Sequence, residues 1–220
     1  MKKIEVRQTA DGSNTLYLPE LDETYHSNHG AMQEALHVFI EHGLTFVAQD
    51  KKSISIFEMG FGTGLNALLT AQWGEKHQKK IQYTGVELHP LSEEIWRQMD
   101  YVQGKSEGEE YAKIMSAAWE NYQDIHPYFE LRKIERDVLQ LELHEQVDLV
   151  YYDAFGPRAQ AEMWEIPVLT KMYELLKPGG VFVTYCAQGQ MKRNLKSLGF
   201  ELTELPGPPG KRAMTRATKN

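Results

Sequence analysis

The sequence predicts an α/β protein in which a mostly parallel sheet carries helices on both faces. From residue 53 onward, apolar strand-like runs alternate with helical segments, and a glycine-rich turn joins the first of these strands to a helix. Parallel neighbours need long crossover connections, so strands separated by helices favour parallel pairing. Acidic residues stand at strand ends in this pattern. Ligands of such sheets bind beyond the carboxyl ends of the strands, so these acids are the first site candidates.

Length and composition indicate one globular domain. The chain has 220 residues, of which 41% are hydrophobic and 25% charged, enough to bury a substantial core. We expect a single domain over residues 1–220, with an extension at 1–50 and a core at 51–220. Apolar runs fall short of the roughly 20 residues that cross a membrane, and no signal-peptide pattern opens the chain.

The numbers of cysteines and histidines limit which disulfides and metal sites the chain can form. Cys186 is the one cysteine, which excludes an internal disulfide and any multi-cysteine metal site. We therefore expect a reducing, cytoplasmic setting. The eight histidines show no metal-ligand spacing with nearby acids, so no metal site is expected.

The extension is predicted to hold a hairpin and a helix. Strand patterns at residues 4–9 and 15–18 flank the sequence Asp-Gly-Ser-Asn, which is typical of a tight turn. A polar and aromatic stretch at 22–30 leads into a helical pattern from residue 31 to about 42. In that helix Leu36, Phe39 and Ile40 are expected to share one face.

The core is predicted to alternate strands and helices to its end. Strands are expected at residues 53–59, 81–86, 128–134, 147–152, 181–185, 201–205 and 213–218. Helices are expected at residues 65–77, 92–101, 107–122, 159–176 and 191–198. The sequence Lys-Pro-Gly-Gly at 177–180 is expected to end a helix, because proline and glycine terminate helices.

The turn at residues 58–66 reads Glu-Met-Gly-Phe-Gly-Thr-Gly-Leu-Asn. Glycine at every second position allows close approach of a ligand to the backbone, and the helix start presents free N–H groups. A dinucleotide fingerprint would instead read G-x-G-x-x-G. The acid two residues before the first glycine suits a positive group, such as the α-amino group of S-adenosylmethionine. A glycine-rich turn without a ligand is the alternative.

Acids follow three of the predicted strands. Glu87 lies 27 residues after Gly60 and suits two ribose hydroxyls; a solvated strand-end acid is the alternative. Asp137 suits an adenine amino group, with Val138 packing on the ring, and can equally cap a helix. Asp153 faces the centre of the predicted cleft, where a carboxylate could hold a primary amine and take up its proton. A helix cap is again the alternative.

Several motifs resemble, in order, the methyltransferase half of the MnmC family, the bifunctional bacterial enzymes of tRNA wobble-uridine modification. They are the turn at 58–66, Asp-Ala-Phe-Gly-Pro at 153–157, Glu-Met-Trp at 162–164, Lys-Pro-Gly-Gly at 177–180 and Leu-Gly-Phe at 198–200. The segment 25–39, ahead of the glycine turn, and Gly-Lys-Arg-Ala-Met at 210–214 are also similar. The similarity extends from about residue 22 to residue 218.

The resemblance implies a class I S-adenosylmethionine-dependent methyltransferase, with a Rossmann-like sheet of seven strands that ends in an antiparallel hairpin. It implies N-methylation of the aminomethyl group of 5-aminomethyl-2-thiouridine at the tRNA wobble position, giving 5-methylaminomethyl-2-thiouridine. By position, Asp153 would hold the amine and Phe155 would shape the uridine pocket. The cofactor-binding residues would be Glu58, Gly60, Gly62, Thr63, Gly64, Asn66, Glu87, Asp137, Val138 and Asp153.

Basic residues are concentrated near the C-terminus, although the net charge is −7. Residues 188–220 hold seven basic residues against two acids, a net charge of +5 that leaves −12 on the first 187 residues. A local basic patch can bind phosphate even on an acidic protein, whereas a solubilising tail is the alternative. The expected tRNA-contacting residues are Trp164, Lys192, Arg193, Lys211 and Arg212.

The sequence also departs from the MnmC family pattern. Family members carry a flavin-dependent oxidase domain for which 220 residues leave no room, so we expect an aminomethyl substrate made elsewhere or coupling to a separate oxidase. The Lys-Arg-Ala sequence at 211–213 is less basic than the expected Gly-Arg-Lys-Arg. Three alternatives stay open: a methyltransferase of the same fold that acts on a small-molecule amine, a tRNA-binding protein without turnover, and a nicotinamide oxidoreductase.

Overall fold

The computed structural model describes residues 4–101, 104–142 and 145–220. Its extension begins with a small antiparallel sheet of three strands, β1 (Glu5–Gln8), β2 (Asn14–Leu18) and β3 (Glu23–Thr24). The predicted hairpin is confirmed, and Asp11 stabilises its turn by accepting hydrogen bonds from the Thr9 and Ser13 hydroxyls. Gly12 adopts a φ of 88° in this turn, with open space around it.

The predicted helix of the extension begins as α1 (Ala31–Ala35) and continues as a π-helix over Leu36–Thr45. Its i→i+5 hydrogen bonds widen each turn and rotate side chains away from the positions expected in an α-helix. Phe39 and Ile40 are buried as predicted, but Leu36 is 45% exposed. The predicted single apolar face is therefore only partly correct.

Among the residues that the structure describes, the central sheet contains eight strands. They are β4 (Ser53–Met59), β5 (Lys80–Glu87), β6 (Gln123–His126), β7 (Phe129–Glu135), β8 (Val147–Tyr152), β9 (Leu176–Thr184), β10 (Phe200–Pro206) and β11 (Ala213–Lys219). Their order is β10-β11-β9-β8-β4-β5-β7-β6. The five strands from β7 to β9 pair in parallel, whereas β6, β10 and β11 pair antiparallel with their neighbours.

Seven of the eight strands correspond to the predicted ones. The eighth, β6, forms the sheet edge, and within the described ranges it pairs only with β7. The sequence predicts helix up to residue 122, but that helix ends at Ser116. The expected sheet of seven strands is thus wrong by one edge strand.

The helices are α2 (Leu65–His77), α3 (Glu93–Trp96), α4 (Lys105–Ser116), α5 (Ile166–Leu175) and α6 (Gly189–Ser197), with 3₁₀ turns at Val138–Gln140 and Ala161–Trp164. The helix predicted at 159–176 is split, because α5 begins separately with a proline in its first turn. The Lys-Pro-Gly-Gly sequence lies inside β9, where pairing with β8 shifts its register. Across the described ranges, no helix combines the length and apolar character that a membrane span requires.

Apolar side chains pack on both faces of the sheet. One cluster includes Phe39 of the π-helix, Leu68 of α2 and Ile114 of α4. The other includes Leu169 of α5 and Leu195 of α6. Helices thus cover both faces, as predicted, and the parallel strands β4, β5, β7 and β8 end at the same edge of the sheet.

Candidate active site

The glycine turn after β4 is held tightly between neighbouring segments. Gly60, Gly62 and Gly64 have φ values of 86°, 49° and 73°, a region that favours glycine. The N–H groups of Gly60 and Phe61 both donate to the Val86 carbonyl at the end of β5. A Cβ on Gly60 would lie 2.7 Å from the carbonyl oxygen of Asp153. The turn and the start of the 153–157 loop are therefore in direct backbone contact.

Glu87 stabilises the same turn from the end of β5. One of its carboxylate oxygens accepts the Gly62 N–H at 3.0 Å, and the other accepts the His89 N–H at 2.9 Å. Each carboxylate oxygen keeps further acceptor capacity. Glu87 can therefore support the turn and still accept hydrogen bonds from a ligand.

Asn66 connects two acids at the start of α2. Its Nδ2 donates to Glu58 Oε1 at 2.8 Å and to Asp153 Oδ2 at 2.9 Å. Glu58 is 1% exposed, and burial, reinforced by the nearby Asp153, raises the pKa of Glu58 well above its usual range. The three side chains form one hydrogen-bonded unit that spans β4, α2 and β8.

Glu58 also has an oxygen without a partner. Its Oε2 is buried and accepts no hydrogen bond from any described residue. The buried Tyr83 hydroxyl acts on the pKa of Glu58 as a nearby hydrogen-bonding group, although no hydrogen bond of ordinary geometry joins the two side chains. Because buried polar atoms are normally hydrogen-bonded, this oxygen fits a donor from a ligand, and a carboxylate favours a positively charged one.

Asp153 follows β8 directly, and its N–H donates to the Met59 carbonyl at 3.0 Å. Burial and the negative charge of Glu34 raise the pKa of Asp153 to about 7, while the Asn66 hydrogen bond and Lys211 act in the opposite direction. A carboxyl group that titrates near neutral pH is suited to accept a proton during catalysis.

Aromatic residues enclose the 153–157 loop. Phe155 packs edge-on against Tyr25, with ring centroids 5.1 Å apart, and the Tyr25 ring lies 3.1 Å from where a Cβ on Gly62 would stand. Trp164 is 3% exposed, and its indole N–H donates to the Phe155 carbonyl. The structure thus places Trp164 in support of the loop, because its buried ring offers no surface for stacking on a base, contrary to the predicted tRNA contact.

Asp137 caps the 3₁₀ turn after β7, since its Oδ1 accepts the Leu139 N–H at 2.8 Å. Val138 is buried, and the Arg136 N–H donates to the Glu87 carbonyl. Asp137 therefore acts as a helix cap, which was the alternative to a ligand contact. It is compatible with a ligand contact, because the segment adjoins Glu87.

A buried polar network lies around Thr63. The Tyr101 hydroxyl donates to Thr63 Oγ1 at 3.0 Å, the Tyr111 hydroxyl donates to the Thr63 carbonyl at 2.8 Å, and His26 Nε2 lies 3.4 Å from Thr63 Oγ1. Burial lowers the pKa of His26 to about 4, so its ring is neutral at pH 7. Sequence reasoning missed both tyrosines, because each is distant from the turn in the chain.

The predicted phosphate contacts separate into ion-paired lysines and exposed arginines. Lys211 forms an ion pair with Glu34, and its ammonium lies 3.8 Å from the centroid of the Tyr185 ring. Lys192 pairs with Glu204. Arg193 and Arg212 are exposed. The +5 count already includes Glu204, but Glu34 lies outside residues 188–220, so its pair with Lys211 lowers the basic charge that is available to bind phosphate. Lys211 belongs to the surroundings of Asp153.

A group with metal-ligand geometry lies outside this site. Ligand atoms of His37, Glu41 and His42 lie within 4.8 Å of one another. Their spacing gave no signal in the sequence, because the wider turn of a π-helix is needed to bring all three to one face. His37 Nε2 also lies 2.9 Å from the Pro206 carbonyl oxygen, so this side chain connects the π-helix to the end of β10.

Comparisons with known proteins agree with this architecture. The profile of a family described as S-adenosyl-L-methionine-dependent methyltransferase matches residues 109–220. The tRNA 5-methylaminomethyl-2-thiouridine biosynthesis bifunctional protein MnmC of Cupriavidus necator is 32% identical over 92% of this chain and 32% of its own length. The protein of the same name from Burkholderia multivorans is 31% identical over 91% of this chain and 33% of its own length. The chain spans about a third of the length of these curated relatives.

Solved structures show the same fold. The crystal structure of MNMC2 from Aquifex aeolicus superposes with a TM-score of 0.82 at 24% identity, over 100% of this chain and 71% of the other. A putative class I S-adenosylmethionine-dependent methyltransferase from Listeria monocytogenes superposes with a TM-score of 0.53 at 16% identity, over 86% of this chain and 61% of the other. The predicted class I methyltransferase fold is confirmed.

Proposed function

The chain belongs to the S-adenosyl-L-methionine-dependent methyltransferases, and we propose that it methylates the aminomethyl nitrogen of 5-aminomethyl-2-thiouridine at the tRNA wobble position. The observation that carries this proposal is the hydrogen-bonded unit in which Asn66 joins Glu58 of the glycine turn to Asp153. This unit supports the proposal because Glu58, which would bind the cofactor ammonium, is joined through Asn66 to Asp153, which would hold the acceptor amine. The relatives named for 5-methylaminomethyl-2-thiouridine biosynthesis, which match 91–92% of this chain, support the choice of substrate.

The polar groups of the site fit S-adenosylmethionine. The unpartnered Glu58 Oε2 suits the α-amino group, Glu87 suits the ribose hydroxyls, and Asp137 suits the adenine amino group above Val138. The glycines of the turn provide room for close approach, while Thr63 and Asn66 hold the turn and the acids in place. When bound, the cofactor supplies a methyl group attached to a sulfonium sulfur.

Asp153 is proposed to prepare the acceptor. A primary amine attacks carbon only as the neutral base, and the nitrogen must lose one proton overall as its bond to the methyl carbon forms and the carbon–sulfur bond breaks. With a pKa of about 7, Asp153 is partly ionised at neutral pH, so it can hold the amine and accept that proton. Phe155 lies two residues after Asp153 in the same loop and would border the uridine ring. Below pH 7 Asp153 becomes protonated, and the rate is expected to fall.

Binding of tRNA is proposed to use the exposed basic residues near the C-terminus. Arg193 lies on α6 and Arg212 follows in the connection between β10 and β11, and both are exposed. Such contacts weaken as salt rises, because phosphate binding releases counterions. The acceptor amine must already be exposed on the tRNA, and we propose that a separate oxidase activity supplies it.

The test uses purified protein, methyl-labelled S-adenosylmethionine and tRNA that carries 5-aminomethyl-2-thiouridine, with nucleoside mass spectrometry of the product. We expect labelled 5-methylaminomethyl-2-thiouridine from the native protein. Asp153→Asn should retain cofactor affinity and lose roughly 100-fold or more in turnover, whereas Asp50→Asn, at an exposed position, should match the native protein. Cofactor binding without tRNA methylation would overturn the substrate assignment and direct attention to small-molecule amines.

A further inference from the structure

Two segments outside the alternating core meet next to Asp153. One is residues 25–37 of the extension, and the other is residues 206–211, which begin at the last residue of β10; we call them together the roof. They interlock closely, since a Cβ on Gly210 would lie 2.0 Å from His29 Cδ2 and His37 Nε2 lies 2.9 Å from the Pro206 carbonyl oxygen. The ion pair between Glu34 and Lys211 joins the same two segments.

The ion pair is built into its surroundings. The side chain of Glu34 is only 9% exposed and that of Lys211 31% exposed. Glu34 Oε1 accepts the Ser27 N–H at 3.2 Å, while its Oε2 accepts from Lys211. The Lys211 ammonium lies over the Tyr185 ring, and the Tyr185 hydroxyl donates to the carbonyl of Ala154, the residue after Asp153. Contacts thus run without interruption from Glu34 to the loop that carries Asp153.

A carboxylate combined with an aromatic face is an arrangement that recognises ammonium groups. In this protein the ammonium of Lys211 occupies it. An ordinary surface lysine would be mobile and solvated, whereas Lys211 is held by a buried acid and an aromatic ring. Its charge is therefore kept at a defined place beside the acceptor site.

We propose that Glu34 and Lys211 are positioning residues for methyl transfer, whose ion pair joins the two segments of the roof and sets the charge around Asp153 and the acceptor amine. This inference rests on the proposed function. The two charges act on Asp153 with opposite signs, because an acid nearby disfavours a second carboxylate and an ammonium favours it. The other titratable groups that interact with Asp153 are Glu58, Tyr83 and Tyr185.

Removal of one charge of the ion pair should leave the other charge acting on Asp153 without compensation. In Lys211→Met the charge of Glu34 remains without compensation, so the pKa of Asp153 should rise by about one unit. In Glu34→Gln the charge of Lys211 remains, so the pKa of Asp153 should fall by about as much. Loss of packing alone would not shift the pKa of Asp153 in opposite directions in the two variants. In the double variant, Glu34→Gln with Lys211→Met, the pKa of Asp153 should return close to its native value. Lys211→Arg keeps the positive charge and should also leave the pKa of Asp153 near its native value.

The experiment measures Asp153 directly, without substrate. Protein containing ¹³C-labelled aspartate is titrated by NMR, and the Asp153 signal is identified by its loss in Asp153→Asn. The matched control is Lys196→Met, at an exposed lysine of α6, which should leave the titration unchanged. The pH dependence of kcat for tRNA methylation, whose acid limb should move with Asp153, is the second measurement.

The outcomes separate this inference from the proposed function. Opposite shifts in the two single variants support it, whether or not tRNA is methylated. Shifts of the same sign, or none, overturn it even if the native protein methylates tRNA. Thermal unfolding of each variant identifies any that fails to fold, and for such a variant Lys211→Arg or the double variant provides the comparison.

Discussion

Gly60→Ala tests the contact between the glycine turn and Asp153. The added Cβ would lie 2.7 Å from the Asp153 carbonyl oxygen, whereas ordinary contacts begin at 3.4 Å, so one backbone segment must move by about 0.7 Å. The φ of 86° at Gly60 costs a residue with a Cβ roughly 1–2 kcal/mol. Overpacking adds about 1–3 kcal/mol. We therefore expect the free energy of unfolding to fall by about 2–5 kcal/mol.

Gly12→Ala is the matched control for this substitution. Gly12 has nearly the same φ, 88°, but nothing lies within 4 Å of the point where its Cβ would stand, so only the conformational cost of roughly 1–2 kcal/mol applies. Urea unfolding compares the two variants, and calorimetry measures their affinity for S-adenosylmethionine, which should fall for Gly60→Ala only. Equal loss of stability in both variants, with unchanged affinity at Gly60→Ala, would refute the close-contact argument.

Two further predictions concern protons. Lys133 is 1% exposed, and burial lowers its pKa to about 8. In the unfolded chain a lysine keeps its proton up to about pH 10.4. Because the unfolded state then binds more protons than the folded state, the free energy of unfolding should rise between about pH 8 and 10. Lys133→Met should lose this rise in urea titrations, and a rise of the same size in both proteins would contradict the assignment. Glu58, whose pKa burial raises, should release a proton when the ammonium of S-adenosylmethionine binds. Calorimetry in buffers of different ionisation enthalpy detects that proton, and Glu58→Gln should abolish it; buffer-independent heats in the native protein would argue against the proposed α-amino contact.

The sequence predicts this fold well where a strand is mostly apolar. β8 (Val147–Tyr152) has the predicted bounds, because every residue in it is buried and an acid follows at once. The edge strand β6 (Gln123–His126) has mixed burial and depends on its pairing with β7, which no local pattern shows. The π-helix is a similar case, since its apolar spacing also satisfies an α-helix, and Leu36 reveals the difference only by its exposure.

The site residues divide in the same way, into positions that the local sequence predicts and contacts between residues distant in the chain. Glu58, Glu87 and Asp153 were predictable, because each stands at the end of a strand in a parallel sheet. The partnership of Lys211 was not predictable, because Glu34 lies 177 residues away in the chain and a count of charges cannot reveal pairing. Arg212, next to it, is exposed, and its role as a phosphate contact stays a prediction.

The two acids joined by Asn66 fit a reaction between two cationic partners. Glu58 and Asp153 each receive one of its N–H groups, at 2.8 Å and 2.9 Å, and they disfavour each other's ionised form because like charges repel. Full ionisation of both acids would require positive charge at each. The proposed ligands provide it, as the cofactor ammonium would lie beside Glu58 and the protonated acceptor amine beside Asp153. Because burial raises the pKa of Asp153 to about 7 before the ligands bind, this second acid can take the amine's proton, whereas the more deeply buried Glu58 remains a binding group.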